Sequence, residues 1–193
     1  MEFDEVVRFH GHACPGLALG YRVAEYVINN FSLRPEDEEL VAVVENNSCA
    51  VDAVQVVTGC TFGKGNLIFR DYGKQAYTFI KRPSGEALRI AIKWQSPPET
   101  DEEKEAWKRY SEGDRSEEVL KIVHSRKARK LKAIMDATDE ELFDIRKVTV
   151  DLPPQARVYP SLICEFCGEK VMEPRARIRD GRVACITCAE GGN

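Results

Sequence analysis

Four cysteines near the C-terminal end carry the clearest chemistry in this 193-residue chain: Cys164-x2-Cys167 and Cys185-x2-Cys188, with seventeen residues between the pairs. Zinc takes four soft or imidazole ligands in a tetrahedron, and each Cys-x2-Cys turn delivers two of them. The first pair reads as a knuckle, with Gly168 relieving the backbone behind it. Arg175 to Ala184 reads as a hairpin turning at Asp180-Gly181, and the second pair opens a short terminal helix. That order resembles a treble clef. A segment of roughly thirty residues with so few large apolar side chains needs a metal to fold, which makes the Zn2+ structural. A redox dithiol pair or an iron centre is the competing reading of the same spacing. Arg175, Arg177, Arg179 and Arg182 offer a face to phosphate, but Glu165, Glu169, Glu173 and Asp180 balance them, as on a solvated hairpin.

A second constellation lies near the start, in Phe9-His10-Gly11-His12-Ala13-Cys14-Pro15-Gly16. His10, His12 and Cys14 alternate, so an extended backbone would point all three to one side. Two imidazoles and a thiol suit a transition metal. Pro15 marks a helix start, where the positive end of the dipole favours a Cys14 thiolate. Cys49 stands at the start of another helix, and Cys49, Asp52, Gln55 and Gly59 form a polar stripe on an otherwise apolar surface. A polar stripe on a buried helix needs partners: it closes a hydrogen-bond network or lines a site. Cys60 follows directly.

These residues support two chemical readings. In one, His10, His12, Cys14 and Cys49, with Cys60, hold a second transition metal in the core. In the other, Cys14 or Cys49 is a nucleophile or catalytic metal ligand, Asp52 is an acid/base or orienting group, and Lys64 holds an anion. The structural alternative is a satisfied histidine pair and an inert buried cysteine. Gly59-Cys60-Thr61-Phe62-Gly63-Lys64-Gly65-Asn66 is not a phosphate loop. Only three residues separate Gly59 from Gly63-Lys64, Gly65 follows the lysine, and the order is helix to strand.

The elements that must position these groups read as an α+β domain. A helix beginning at Pro15 carries Leu17, Tyr21, Ala24, Ile28 and Phe31 on one face. Leu40 to Glu45 reads as a buried strand, Asn46-Asn47-Ser48 as a turn with an N-cap signal, and Cys49 to Thr58 as a helix stopped by Gly59. Leu67–Arg70 and Gln75–Ile80 read as a hairpin around Asp71-Tyr72-Gly73, with a further strand over Leu88–Lys93. After Pro97-Pro98 the chain turns helical and charged. Capping-box spacing at Thr100/Glu103, Asp114/Glu117 and Thr138/Glu141 predicts helices over 100–112, 115–136 and 139–144. A last strand is expected over Lys147–Leu152. The domain reading is a core over 1–152, a proline-marked linker over 153–162, and the finger over 163–193.

Composition narrows the function classes. Hydrophobic residues make up 43% of the chain, enough for a core, and no apolar run approaches the length of a membrane span. The acidic start lacks a signal peptide's basic and apolar regions, so a cytoplasmic protein with no membrane association is expected. A net charge of −4 gives no general pull toward nucleic acid. Lys121, Arg126, Lys127, Arg129, Lys130 and Lys132 are spread around a helix and read as a solvated face. Seven cysteines in such a chain point to metal or catalysis rather than disulfides.

The stretches Phe9-His10-Gly11-His12-x-Cys14-Pro15-Gly16, Gly20-Tyr21-Arg22, and Glu45 through Cys49-x2-Asp52-Ala53-x-Gln55-x2-Thr58-Gly59 to Gly63-Lys64-Gly65-Asn66-Leu67 together resemble one family. It is the E-subunit family of formylmethanofuran dehydrogenase, with its relatives in anaerobic microbes; the C-terminal cysteine quartet fits the same pattern. The resemblance implies an α+β core with an appended zinc finger, a homodimer, and an association with the other subunits of a molybdenum or tungsten dehydrogenase of one-carbon metabolism. Three functions follow for testing: a metal-binding accessory or stand-alone relative, a metal- or thiol-dependent enzyme using Cys14 or Cys49, and a nucleic-acid-binding regulator. Nucleic acid is the weakest of the three.

Overall fold

The computed structural model describes residues 1–191, which fall into two units: Met1–Gln155 and the segment from Ala156 onward. In the first, a five-stranded sheet is packed by helices on one face. Its order is β2-β1-β3-β4-β5, where β1 is Leu40–Val44, β2 Leu67–Phe69, β3 Ala76–Lys81, β4 Ala87–Ile92 and β5 Phe143–Val148. Alternation sends Leu40, Ala42, Val44, Tyr77, Phe79, Leu88, Ile90 and Phe143 to the helical face. Val41, Val43, Ile80 and Ala87 form a second cluster on the opposite face. All five residues of β1 are therefore buried, which explains why its sequence reads as an unbroken apolar run.

The expected hairpin around Asp71-Tyr72-Gly73 does not form. β2 pairs parallel with β1 and β3 pairs antiparallel with the other edge of β1, so residues 70–75 pass around the end of that strand. The Arg70 and Lys74 amides donate to the Val44 and Glu45 carbonyls on the way. A strand buried on both faces takes a neighbour at each edge, and two short strands with a turn between them do not reveal this locally.

Three helices set the candidate site. α1 is Phe3–His10, α2 is Pro15–Asn30 and α3 is Ala50–Thr58. Pro15 occupies the first turn of α2, where its missing N–H costs nothing. α2 crosses α3 at a glycine: a Cβ at Gly20 would lie 2.3 Å from the Ala50 carbonyl oxygen, so only glycine permits the approach. Upstream of α3, Asn46 Oδ1 accepts from the Ser48 amide and hydroxyl, which tightens the turn but leaves Cys49 rather than Ser48 as N-cap.

The charged region forms α4 (Asp101–Ser111), α5 (Glu117–Asp136) and the single turn α6 (Asp139–Leu142). Thr100/Glu103 and Thr138/Glu141 make their capping boxes. Asp114/Glu117 does not: Asp114 accepts from the Ser116 amide and from Arg109 in the loop, and Ser116 is the N-cap. β5 begins directly after α6, at Phe143 rather than at the expected Lys147. Phe143 and Ile145 alternate inward there, a signal hidden by the helix-favouring Glu140-Glu141 beside it. No basic residue lies in the last turn of α5. Arg22 of α2 supplies the charge instead, donating to the Ile134, Met135 and Ala137 carbonyls at 2.9, 3.1 and 2.8 Å and to Asp139 at 2.9 Å.

The second unit is two short antiparallel ladders and one helical turn. β6 (Ser161–Ile163) pairs with β7 (Lys170–Met172), and β8 (Arg177–Arg179) pairs with β9 (Arg182–Ala184). Asp180 and Gly181 both have positive φ in the β8–β9 turn, as a two-residue hairpin turn requires. α7 (Ile186–Ala189) closes the unit.

Candidate metal centres

In the second unit, the knuckle after β6 carries Cys164 and Cys167, and the end of β9 carries Cys185 and Cys188 into α7. Their four sulfurs lie within 4.8 Å of one another. Cys167 Sγ and Cys185 Sγ are 3.9 Å apart; a tetrahedral zinc with bonds of about 2.3 Å sets its sulfurs about 3.8 Å apart. The Cys185 amide donates to Cys164 Sγ at 3.2 Å and the Cys188 amide to Cys185 Sγ at 3.4 Å. Backbone N–H groups, first that of Cys167 and then that of Cys185, hold the Cys164 thiol down at about 6. The hydrogen bond to Cys185 sulfur, then burial, pushes Cys188 up to about 12. Four sulfurs this close ionise together only around a cation. Among the described hydrophobic side chains of this unit, only Cys164 and Ala184 are buried, so the cluster stands where a core would be. The C-terminal unit is a four-cysteine zinc finger, and its donor set fits zinc.

The first unit gathers a second set, and not by strand alternation. His10 is the last residue of α1, Gly11 leaves the helix with φ 95°, and Cys14 is the N-cap of α2. A helix end and a turn, rather than an extended segment, bring one donor each from His10, His12 and Cys14 within 4.8 Å. The His10 and His12 rings have centroids 4.7 Å apart. His12 is exposed, while His10 and Cys14 are half-buried.

Asp52, in the first turn of α3, reaches across forty-two residues of sequence to His10: its Oδ2 lies 2.7 Å from Nδ1. An ionised carboxylate only accepts, so Nδ1 carries the proton and Nε2 is left with a free lone pair. That Nε2 is buried and has no hydrogen-bond partner among the described residues. A buried acceptor without a partner is costly. A metal ion held by His10 Nε2, His12 and Cys14 would remove the cost, and a carboxylate behind a ligating histidine is the usual support for such a ligand.

The two helix starts treat their cysteines differently. The Leu17 amide donates to Cys14 Sγ at 3.4 Å. Cys49 is the N-cap of α3 but accepts no capping hydrogen bond, and burial, then its hydrogen bond with Cys14, raises its thiol above the ordinary value. Desolvation and a neighbouring sulfur outweigh the helix dipole there.

Cys60 and Lys64 do not join the cluster. Both lie beyond the far end of α3, a nine-residue helix spanning about 13 Å. Cys60 is fully buried, its thiol donates to the Leu40 carbonyl at 3.3 Å, and burial pushes it up to about 11. Lys64 donates to the Asp37 carbonyl at 3.1 Å. Gln55 accepts from the Phe62 amide. The polar stripe on α3 therefore splits: Cys49 and Asp52 face the site, and Gln55 closes the following loop. The partnership of His10 with Asp52 has no local sequence signal; only the unexplained carboxylate on an apolar helix pointed to it.

The basic residues are largely engaged. Glu99 takes Arg126 and Lys130, Glu103 takes Arg129, and Lys132 pairs with Asp136. Arg126 also stacks on Trp107. In the finger, Arg179 and Arg182 flank the Phe166 ring. Among the described residues, no helix is long and apolar enough to cross a membrane.

Comparison with known proteins identifies the family of the first unit and the finger type of the second. The family described as "FmdE, Molybdenum formylmethanofuran dehydrogenase operon" matches residues 9–144, and the prokaryotic DksA/TraR C4-type zinc finger matches residues 157–191. A protein of Archaeoglobus fulgidus named "Probable S-adenosyl-L-methionine-binding protein" is 30% identical over 94% of the chain. The chain spans 50% of that relative's length. The crystal structure of a tungsten formylmethanofuran dehydrogenase FmdE-like protein from Syntrophus aciditrophicus shares the fold, with a TM-score of 0.61 and 23% identity over 97% of this chain and 89% of that one.

Proposed function

The chain belongs to the FmdE family, and from that premise we propose that it is a metal-binding accessory or stand-alone relative in anaerobic one-carbon or molybdenum/tungsten-enzyme metabolism, with a structural zinc in its finger and a second transition metal in its core. His10, His12 and Cys14 are the proposed core ligands, and Cys49, whose thiol interacts with Cys14, stands beside them. The protein works in the cytoplasm as a homodimer, alone or beside dehydrogenase subunits, and its finger is a treble clef. One observation carries the core centre: His10 presents a buried, unpartnered Nε2 while Asp52 fixes its other nitrogen.

When bound, the core metal supplies a Lewis-acid centre. The chain's own residues do the rest. Asp52 holds the His10 proton on Nδ1, the Leu17 amide steadies the Cys14 sulfur, and α2 and α3 shield one side of the centre. The exposed His12 faces the side from which a small molecule would enter.

A second reading, a metal- or thiol-dependent enzyme, is favoured by the Asp52–His10 pair, which has the arrangement of an oriented acid/base. Cys14 would then be the nucleophile or catalytic ligand. The cysteine at Cys60 and the amine of Lys64 have no part in either reading.

Metal stoichiometry on anaerobically purified full-length protein tests the proposal. Two metals per chain are expected, falling to one in His10→Ala and in Cys14→Ser, with the finger's zinc kept. One metal per chain in all three proteins would refute the core centre.

A further inference from the structure

The core centre has a second thiol beside its first. Cys14 and Cys49 cap α2 and α3, the two helices that meet at Gly20. The Cys14 thiol is near enough to Cys49 to help raise it. A Cβ at Gly16, two residues from Cys14, would lie 3.5 Å from Cys49 Cβ, so the two helix starts lie against each other. Both cysteines pack on the cluster of Leu17, Tyr21 and Ala53, which holds their backbones in place. Both are half-buried and Cys14 lies beside exposed His12, whereas Cys60 is sealed in the core. Thiols carried on two helix starts that lie against each other are placed for a bridge with little backbone movement.

We propose that Cys14 and Cys49 are a hydroperoxide-sensitive pair whose disulfide removes Cys14 from the core ligand set and releases the metal. The proposal rests on the reading of His10, His12 and Cys14 as a metal centre. Cys14 is the attacking sulfur, because it borders the open side at His12. Its thiolate displaces on the peroxide oxygen, the O–O bond breaks, and a sulfenic acid forms while the other oxygen leaves, taking a proton, as water or an alcohol. Cys49 sulfur then attacks the sulfenic sulfur. The S–O bond breaks, the S–S bond forms, and hydroxide leaves with the Cys49 proton as water. Overall two thiols and one hydroperoxide give a disulfide, one water, and a second water or an alcohol. A dithiol reductant reverses the step by thiol–disulfide exchange.

His10 and His12 are unaltered by oxidation, but a pair of imidazoles alone binds a transition metal far more weakly than with a thiolate. The bridge therefore acts on occupancy rather than on the fold.

The test uses the full chain, reduced and offered two zinc equivalents, the first to fill and shield the finger and the second for the core, then exposed to hydrogen peroxide under nitrogen. Digestion with trypsin and with a protease cutting before aspartate separates Cys49 from Cys60 at Asp52. A bridged Cys14–Cys49 peptide is expected, together with loss of the second metal equivalent and its return after dithiothreitol. If Cys14 and Cys49 both still alkylate with iodoacetamide after peroxide, or if Cys14 ends as a sulfinic acid, the switch is refuted. Uptake of a second equivalent by the reduced sample would then still uphold the core centre. If the bridge forms but the reduced chain takes up no second metal, the core-centre reading fails, and the switch fails with it.

Discussion

Asp52→Asn leaves the α3 side chain nearly unchanged in size while removing the charge that faces His10 Nδ1. The contact is 2.7 Å, with His10 12% and Asp52 37% exposed at the side chain. Carboxylates behind ligating histidines typically contribute about 10–100-fold to metal affinity, or about 1.4–2.7 kcal/mol. Asp52 is more than a third exposed, so water replaces part of its effect and the lower half of that range, about 10–30-fold, is expected here. Asparagine also presents an N–H toward Nδ1 in one of its two orientations, which favours the wrong tautomer and turns the proton onto Nε2. Competition against a chromophoric chelator measures the effect, with the finger in the same chain as an internal standard. The core constant should weaken while the finger's stays fixed. An unchanged core constant in Asp52→Asn, beside complete loss in His10→Ala, would refute the argument that the carboxylate sets the ligand's tautomer and aim.

Cys185→Ser should unfold the second unit and spare the first, because a metal replaces the core that the unit lacks; amide exchange resolved by peptide should show protection lost from 161–189 alone. Gly20→Ala should destabilise the first unit by at least about 1–3 kcal/mol in urea unfolding and weaken core metal binding, since the new methyl meets the α3 backbone at Ala50. Glu45 is held below the usual carboxylate range, chiefly by its hydrogen bonds with Arg89. A lowered folded value means that this stabilisation is complete above about pH 4.5 and is lost as pH falls through the depressed value. Glu45→Gln should therefore cost about 1–3 kcal/mol at pH 7 by leaving Arg89 unpaired, and the difference from the parent should shrink on acidification below about pH 4 in chemical-denaturation midpoints.

Much of this was readable along the chain, and the pattern of what was not is informative. The finger's ligands sit in two turns whose geometry is fixed within four residues each, so spacing alone predicts them. Helix starts at Pro15, Thr100 and Thr138 were legible for the same reason: a cap is a local hydrogen-bond arrangement. The α+β class followed from a buried valine strand among helical periods. Strand order did not. The chain 67–80 looks like a hairpin because nothing within it records that β1 has two open edges. β5 was displaced because two glutamates favoured helix where Phe143 and Ile145 required a strand against β4.

The core site divides along the same line. His10, His12 and Cys14 lie within five residues of chain, and their types alone announced a metal-like donor set. Whether those donors converge depended on α1 ending at Gly11 and on α2 starting at Pro15, a conformation that alternation arguments misdescribe. Cys60 and Lys64 looked like members because they follow Cys49 closely in sequence; a nine-residue helix carries them to its other end. Asp52 looked like an isolated carboxylate and proved to be the partner of His10, forty-two residues away. The amino-acid sequence determined which donor groups exist and which turns hold them, because such turns close over a few bonds. Only the tertiary structure decided which distant groups face one another, because that depends on how closely α2 and α3 cross, and the absence of a side chain at Gly20 sets that distance.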